Sequence, residues 1–99
     1  MENNISLVEF GTSFQSKIIA SLISDIKFVQ TISDILQPDM FDSDSNKWLV
    51  KTIRKYYYEY KKQPTLEVIK DKIDEIDNDV LKSGVVEKLR DVWKNIEST

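Results

Sequence analysis

At 99 residues, with 40% apolar and 31% charged side chains, the chain has room for one small hydrophobic core and is unlike a disordered or membrane-embedded segment. It has no cysteine and no histidine, which excludes disulfides, thiolate zinc sites and the commonest general base. A net charge of −3 argues against a domain whose main task is gripping duplex DNA, because such domains are usually basic.

Residues 1–11 read as an amino-terminal arm that turns apolar at Ile5, Leu7, Val8 and Phe10 and ends at Gly11. Thr12 is the expected N-cap of a first helix over about residues 13–24, and Gln15, three positions on, completes a capping-box spacing. Phe14, Ile18 and Leu22, with Ile19 and Ile23, make its apolar stripe. Asp25 can cap a second helix whose stripe is Phe28, Val29, Ile32, Ile35 and Leu36. Pro38 disfavours helix at Gln37 and sets its end.

Pro38-Asp39-Met40-Phe41 reads as a turn whose two large apolar groups plug the space between the second and third helices. Ser43 is the expected cap of a long third helix running to about Lys62. Its expected buried stripe is Leu49, Ile53, Tyr56, Tyr57 and Tyr60, bordered by Trp48 and Val50, with Tyr58 turned outward. Lys61 and Lys62 suit the negative end of its dipole, and Pro64 forces a break. Thr65 caps a fourth helix patterned Leu66, Ile69, Ile73, Ile76. Asp77-Asn78 turns into a fifth, from about Asp79 toward Glu97, patterned Leu81, Val85, Leu89, Val92, Trp93 and Ile96. Gly84 inside it costs about 1 kcal/mol relative to alanine and marks a possible break. The fold expected is all-α, a compact bundle of about five helices, with residues 12–99 as one domain.

None of the phosphate-binding, dinucleotide, zinc-protease or nucleophile-elbow motifs is present, so no catalytic, cofactor-binding or metal-ligating residue is assigned. The acids Asp71, Asp74, Glu75, Asp77 and Asp79 lack the glycine and terminal glutamate of a calcium loop and read as a solvated helix end. Asp39, Asp42 and Asp44 read as turn and capping residues.

Charge is polarised. Residues 43–62 hold six basic and two acidic side chains, a net +4, which leaves −7 for the remainder. Lys47, Lys51, Arg54, Lys55, Tyr58 and Lys62 form the candidate partner or nucleic-acid face of the third helix. Such a face can contact phosphates and stack a base, meet an acidic protein, or simply be solvated. On the fifth helix, Val86, Leu89, Trp93 and Ile96 form a candidate self-association face, with closure of the core as the other reading.

With these segments in order, the chain resembles the N-terminal domain of DnaB-type replicative helicases, in particular their phage relatives. The matching positions are Gln15 through Asp25, the turn Pro38-Asp39-Met40-Phe41, the long helix from Ser43, Gln63-Pro64-Thr65, and Ser83-Gly84-Val85 before Leu89. The resemblance covers roughly residues 12–95 and rests on structural rather than catalytic motifs. It implies a collar on a ring-shaped hexamer, with primase and neighbouring helicase subunits as partners. It also implies that ATP and Mg belong to a later motor domain outside this chain, and that family members continue into a helical hairpin that pairs subunits. Contact of this domain with DNA is expected to be weak or absent. A helicase-binding bundle of a primase and a small stand-alone DNA-binding regulator are the rival expectations. The third helix has the charge for the latter but not the short tight turn before it. No apolar run reaches membrane-spanning length, and Met1–Ser6 lacks a basic lead. A cytoplasmic protein, or a viral one in a host cell, is the expected setting.

Overall fold

The computed structural model describes residues 7–97, and all statements below concern them. A 3-10 turn at Val8–Phe10 precedes α1 (Thr12–Ser24) and α2 (Ile26–Ile32). A second 3-10 turn at Pro38–Met40 leads to α3 (Asp44–Tyr60), α4 (Leu66–Asp74) and α5 (Asp79–Glu97). The architecture is all-α, and none of the described helices is long and apolar enough to cross a membrane.

Four helix starts are written locally. The side chains of Asp25, Ser43, Thr65 and Asn78 accept from the backbone N–H groups of Phe28, Asn46, Val68 and Leu81, satisfying one free donor at each helix start. The start of α1 departs from expectation. Thr12 is its first helical residue, Gly11 holds the cap position at φ 89°, and no side chain caps it. A positive φ there suits glycine alone.

Gln15 does not reach back to close a capping box. It is fully buried and ties three segments together. Its Nε2 donates to the Leu7 carbonyl at 3.4 Å. Its Oε1 accepts from the Asp42 N–H at 3.2 Å and from Asn46 Nδ2 at 2.9 Å. The amino-terminal segment is thereby held against the start of α3, and the Leu7 N–H donates to the Met40 carbonyl at 2.8 Å. Asn46 is also fully buried, and its Oδ1 has no partner among the described residues.

α1, α3 and α5 pack on one another and enclose the core. Ile19 and Leu22 meet Leu49, Val50, Ile53, Val85 and Val92 there, all essentially inaccessible. Each such side chain contributes about 1.5–3 kcal/mol relative to exposure. Phe41 is buried and Met40 partly so, so the turn before α3 does plug the core. α4 inserts Ile69 and Ile73 and packs chiefly against α5. The Gln63 amide donates to the Leu22 carbonyl at 2.8 Å, anchoring the α3–α4 connection to the end of α1.

Several expected stripe residues lie outside the core. Phe14 is 40% exposed and Ile35 57%. α2 ends at Ile32, and the N–H groups of Ile35 and Leu36 both fold back onto the Ile32 carbonyl, which buries Leu36 and turns Ile35 outward. α3 ends at Tyr60 rather than near Lys62, with Lys61 left-handed at φ 58° and its N–H on the Tyr57 carbonyl at 2.7 Å. Val50, expected at the border of its stripe, is wholly inside. α5 does not break at Gly84. A Cβ there would lie 2.5 Å from Ser45 Oγ, the end of a rotatable side chain, and 3.8 Å from Ser45 Cβ, so α5 passes close to the start of α3 at this point.

Candidate functional site

Four of the six residues of the expected α3 face come together: Lys51, Arg54, Lys55 and Tyr58, with Glu59, line one shallow hollow of about 510 Å³. Arg54 and Tyr58 are turned onto the end of α2. Arg54 Nε donates to the Ser33 carbonyl at 3.1 Å, and its guanidinium lies 5.4 Å from the Tyr58 ring centroid. The Tyr58 hydroxyl accepts from Arg54 Nη2 at 3.3 Å. It lies 3.0 Å from both the Ser33 carbonyl and Asp34 Oδ1, which share its one proton. A helix end leaves carbonyls without intrahelical partners and carries partial negative charge, so a guanidinium placed there is favourable. Arg54 and Tyr58 thus act as a clasp between α2 and α3. Tyr58 is 41% exposed, as its outward placement requires, but its hydroxyl is occupied.

Lys47 and Lys62 stand apart from this group. Lys47 is half-buried beside a hollow lined by Pro38, Asp39 and Val80. Lys62 is exposed beyond the end of α3. Lys51 and Lys55 are exposed and border an open cleft of about 930 Å³ between α3 and α4.

This cleft is the strongest candidate site on the expected face. α3 supplies Trp48, Lys51, Lys55, Tyr56, Glu59 and Tyr60, and α4 with its following turn supplies Val68, Asp71, Lys72, Glu75 and Ile76. Tyr56 and Tyr60, one helical turn apart, pack ring against ring with centroids 4.5 Å apart. Tyr60 is 55% exposed and belongs to the cleft wall, not to the core where the apolar stripe placed it. Tyr56 is half-buried in the same wall. The i, i+4 spacing of these tyrosines was the available signal for a shared face. Lining charge is balanced, with Lys51, Lys55 and Lys72 against Glu59, Asp71 and Glu75. A balanced, aromatic-walled cleft suits a protein segment carrying both signs of charge better than a polyanion, which needs a positive excess.

The apolar residues of α5 are used differently from a self-association face. Leu89 is 6% exposed and belongs to the core with Val85 and Val92. Trp93 and Ile96 pack partly against that core, and Val86 stands at 37% exposure. Part of the apparent apolar excess of α5 is absorbed by α1 and α3, on which it packs. The most exposed large apolar side chain of α5 is Val80, at 84%, beside the α4–α5 junction.

Among the described residues, no group of three or more acidic side chains is arranged to hold a metal ion. Asp71, Asp74, Glu75, Asp77 and Asp79 are all exposed. Comparison with protein-family models, curated proteins and solved structures yields no match.

Proposed function

We propose that the chain is a docking domain without a catalytic site of its own, the collar domain of a phage-like DnaB-type replicative helicase. In this reading it contributes to hexamer assembly and receives primase, while ATP and Mg are used by a motor domain encoded further along. The reading is supported by one observation above others. Capped helix starts at Asp25, Ser43 and Thr65 bracket the Pro38–Met40 turn and Pro64 in the order that carries the resemblance. The docking surface in this proposal is the α3–α4 cleft, with Lys51 and Lys55 on one wall and Asp71 and Glu75 on the other. Arg54 and Tyr58 serve the fold instead of the partner.

Two measurements test the proposal. Reading the source gene past codon 99 should reveal a helical hairpin followed by GxxxxGK[ST]; a reading frame that closes at Thr99 removes the motor and favours a free-standing adaptor or DNA-binding regulator. Calorimetric titration with the primase from the same source should show binding that weakens about tenfold in a Lys51→Glu, Lys55→Glu double variant of unchanged stability. Equal binding by both proteins would remove the cleft from the proposal.

A further inference from the structure

The ties that hold residues 7–10 to the body of the domain are few and unequal. Leu7 is buried, and its N–H donates to the Met40 carbonyl at 2.8 Å. Its carbonyl accepts from Gln15 Nε2 at 3.4 Å, which is long for such a bond. Past Leu7 the Val8–Phe10 turn leaves Phe10 60% exposed, resting on Phe14 with ring centroids 5.1 Å apart. Leu7 and Phe10 thereby line part of an apolar groove of about 450 Å³ between α1, α2 and the two 3-10 turns. Gly11 joins the first turn to α1 at φ 89° and ψ 166°, a conformation open to essentially no other residue. A Cβ at Gly11 would meet no atom within 4 Å, so the backbone angles, not lack of space, demand glycine.

Behind this turn lies an incomplete pair. Two primary amides side by side can exchange two N–H···O bonds. Gln15 and Asn46, both wholly buried, make one of them, from Asn46 Nδ2 to Gln15 Oε1 at 2.9 Å. Gln15 Nε2 is turned to Leu7 instead, and Asn46 Oδ1 has no partner among the described residues. A buried acceptor in that condition raises the energy of the arrangement that leaves it so. Docking of residues 7–10 and satisfaction of Asn46 therefore compete for one amide.

We propose that residues 7–10 are a latch, hinged at Gly11 and caught by Gln15, that opens as a unit while the helices stay folded. On opening, the Leu7 N–H and carbonyl pass to water, and Gln15 Nε2 turns to Asn46 Oδ1 to complete the amide pair. The Asp42 N–H stays on Gln15 Oε1, so the start of α3 keeps its anchor. One buried bond gained and the freedom that Gly11 recovers offset part of the loss of Leu7 from the core, which brings the open state within reach of the closed one. The Met40 carbonyl is released in the same step, which couples the latch to the Pro38–Met40 turn that plugs the core. The latch is a two-state element of low local stability, the kind of segment whose balance a small bias shifts. It does not depend on the helicase reading, since it uses neither the α3–α4 cleft nor any motor domain.

Amide hydrogen exchange followed by NMR on the full chain tests the latch. The Leu7 N–H should exchange at least about tenfold faster than the Ile53 N–H inside α3, because the latch opens below global unfolding. Gly11→Ala strains only the closed latch, and Leu7→Ser removes the side chain that it inserts. Each should speed Leu7 exchange about tenfold and Ile53 exchange much less, and both should shift the same resonances, those of Gln15, Asp42 and Asn46. The Gln15 side-chain amide protons should stay slow to exchange in both variants, held by Asn46 Oδ1. Leu7 and Ile53 exchanging at one rate in the native chain, or rising equally in both variants, would make the segment a fixed part of the core and overturn the proposal. Leu7 exchange unaltered by Gly11→Ala would remove the hinge. Gln15 amide protons that exchange freely in the variants, or a long-lived water detected on Asn46 Oδ1 in the native chain, would remove the catch.

Discussion

Two hollows between helices, on one small domain, are built from opposite materials. The α3–α4 cleft has aromatic walls edged by lysines and carboxylates in equal number. Among the described residues the α1–α2 groove is apolar apart from Lys17 and Ser21. Their difference separates two kinds of surface. Apolar surface that water dislikes supplies affinity on burial, whereas paired charges at the rim mainly set register, encounter rate and partner choice. The basic segment of α3 stands out in the sequence because charge is easy to read. The apolar groove is less conspicuous because each of its residues also looks like a core residue.

The largest expected effect comes from the buried amide that ties the amino-terminal segment to the start of α3. Gln15→Leu leaves the Asp42 N–H and Asn46 Nδ2 without their acceptor and the Leu7 carbonyl without its donor. Urea unfolding should show a loss of about 3 kcal/mol, and a loss below that of an ordinary surface change would mean the buried amide network is not stabilising. Gly84→Val should cost about 1 kcal/mol, measured the same way, because the Ser45 hydroxyl that a Cβ would meet can rotate aside and only the bulk beyond the Cβ presses on the start of α3, away from both hollows.

Arg54→Ala comes next, at about 1 kcal/mol, because it removes the guanidinium from the Ser33 carbonyl and from the Tyr58 ring and leaves only the Tyr58 hydroxyl at that helix end. Its thermal midpoint should fall while cleft binding by the folded protein is retained, the reverse of the lysine double variant. If Arg54→Ala instead abolished docking at full stability, the clasp assignment would fail and Arg54 would join the docking face. The smallest effect belongs to Phe10→Ser combined with Ile35→Ser. Stability should move by no more than about 0.5 kcal/mol, since both side chains are mostly in water already. A large destabilisation would mean that the groove is part of the core, and the contrast between the hollows would then be one of depth, not of chemistry.

How much of this was legible varies with the range of the interaction. The caps at Asp25, Ser43 and Thr65 and the plug at Phe41 follow from a few adjacent residues, and they are where expected. Phe14, Ile35 and Tyr60 were placed inside from their spacing, yet they stand at the margins of their stripes and face outward. Gln15 and Asn46 carried a readable sign: Gln15 precedes Ile19 and Leu22, and Asn46 precedes Val50 and Ile53, at core spacing. Nothing local says that the two amides meet across 31 positions of chain. Of the candidate site, the grouping of Lys51, Arg54, Lys55 and Tyr58 is legible from charge and helical spacing, but the engagement of Arg54 and Tyr58 by the Ser33 carbonyl depends on where α2 ends.

The sequence by itself determined the helices, the starts of all but the first and the all-α class, because periodicity, capping and proline act within a few residues of chain. Only the tertiary structure decided which edge of each apolar stripe is covered. A stripe wider than its neighbour must leave a margin in water, and the packing of α1, α3 and α5 selects that margin. It leaves Phe10, Phe14 and Ile35 outside, draws Leu89 in, and sets Arg54 on the end of a helix that lies 21 residues back along the chain.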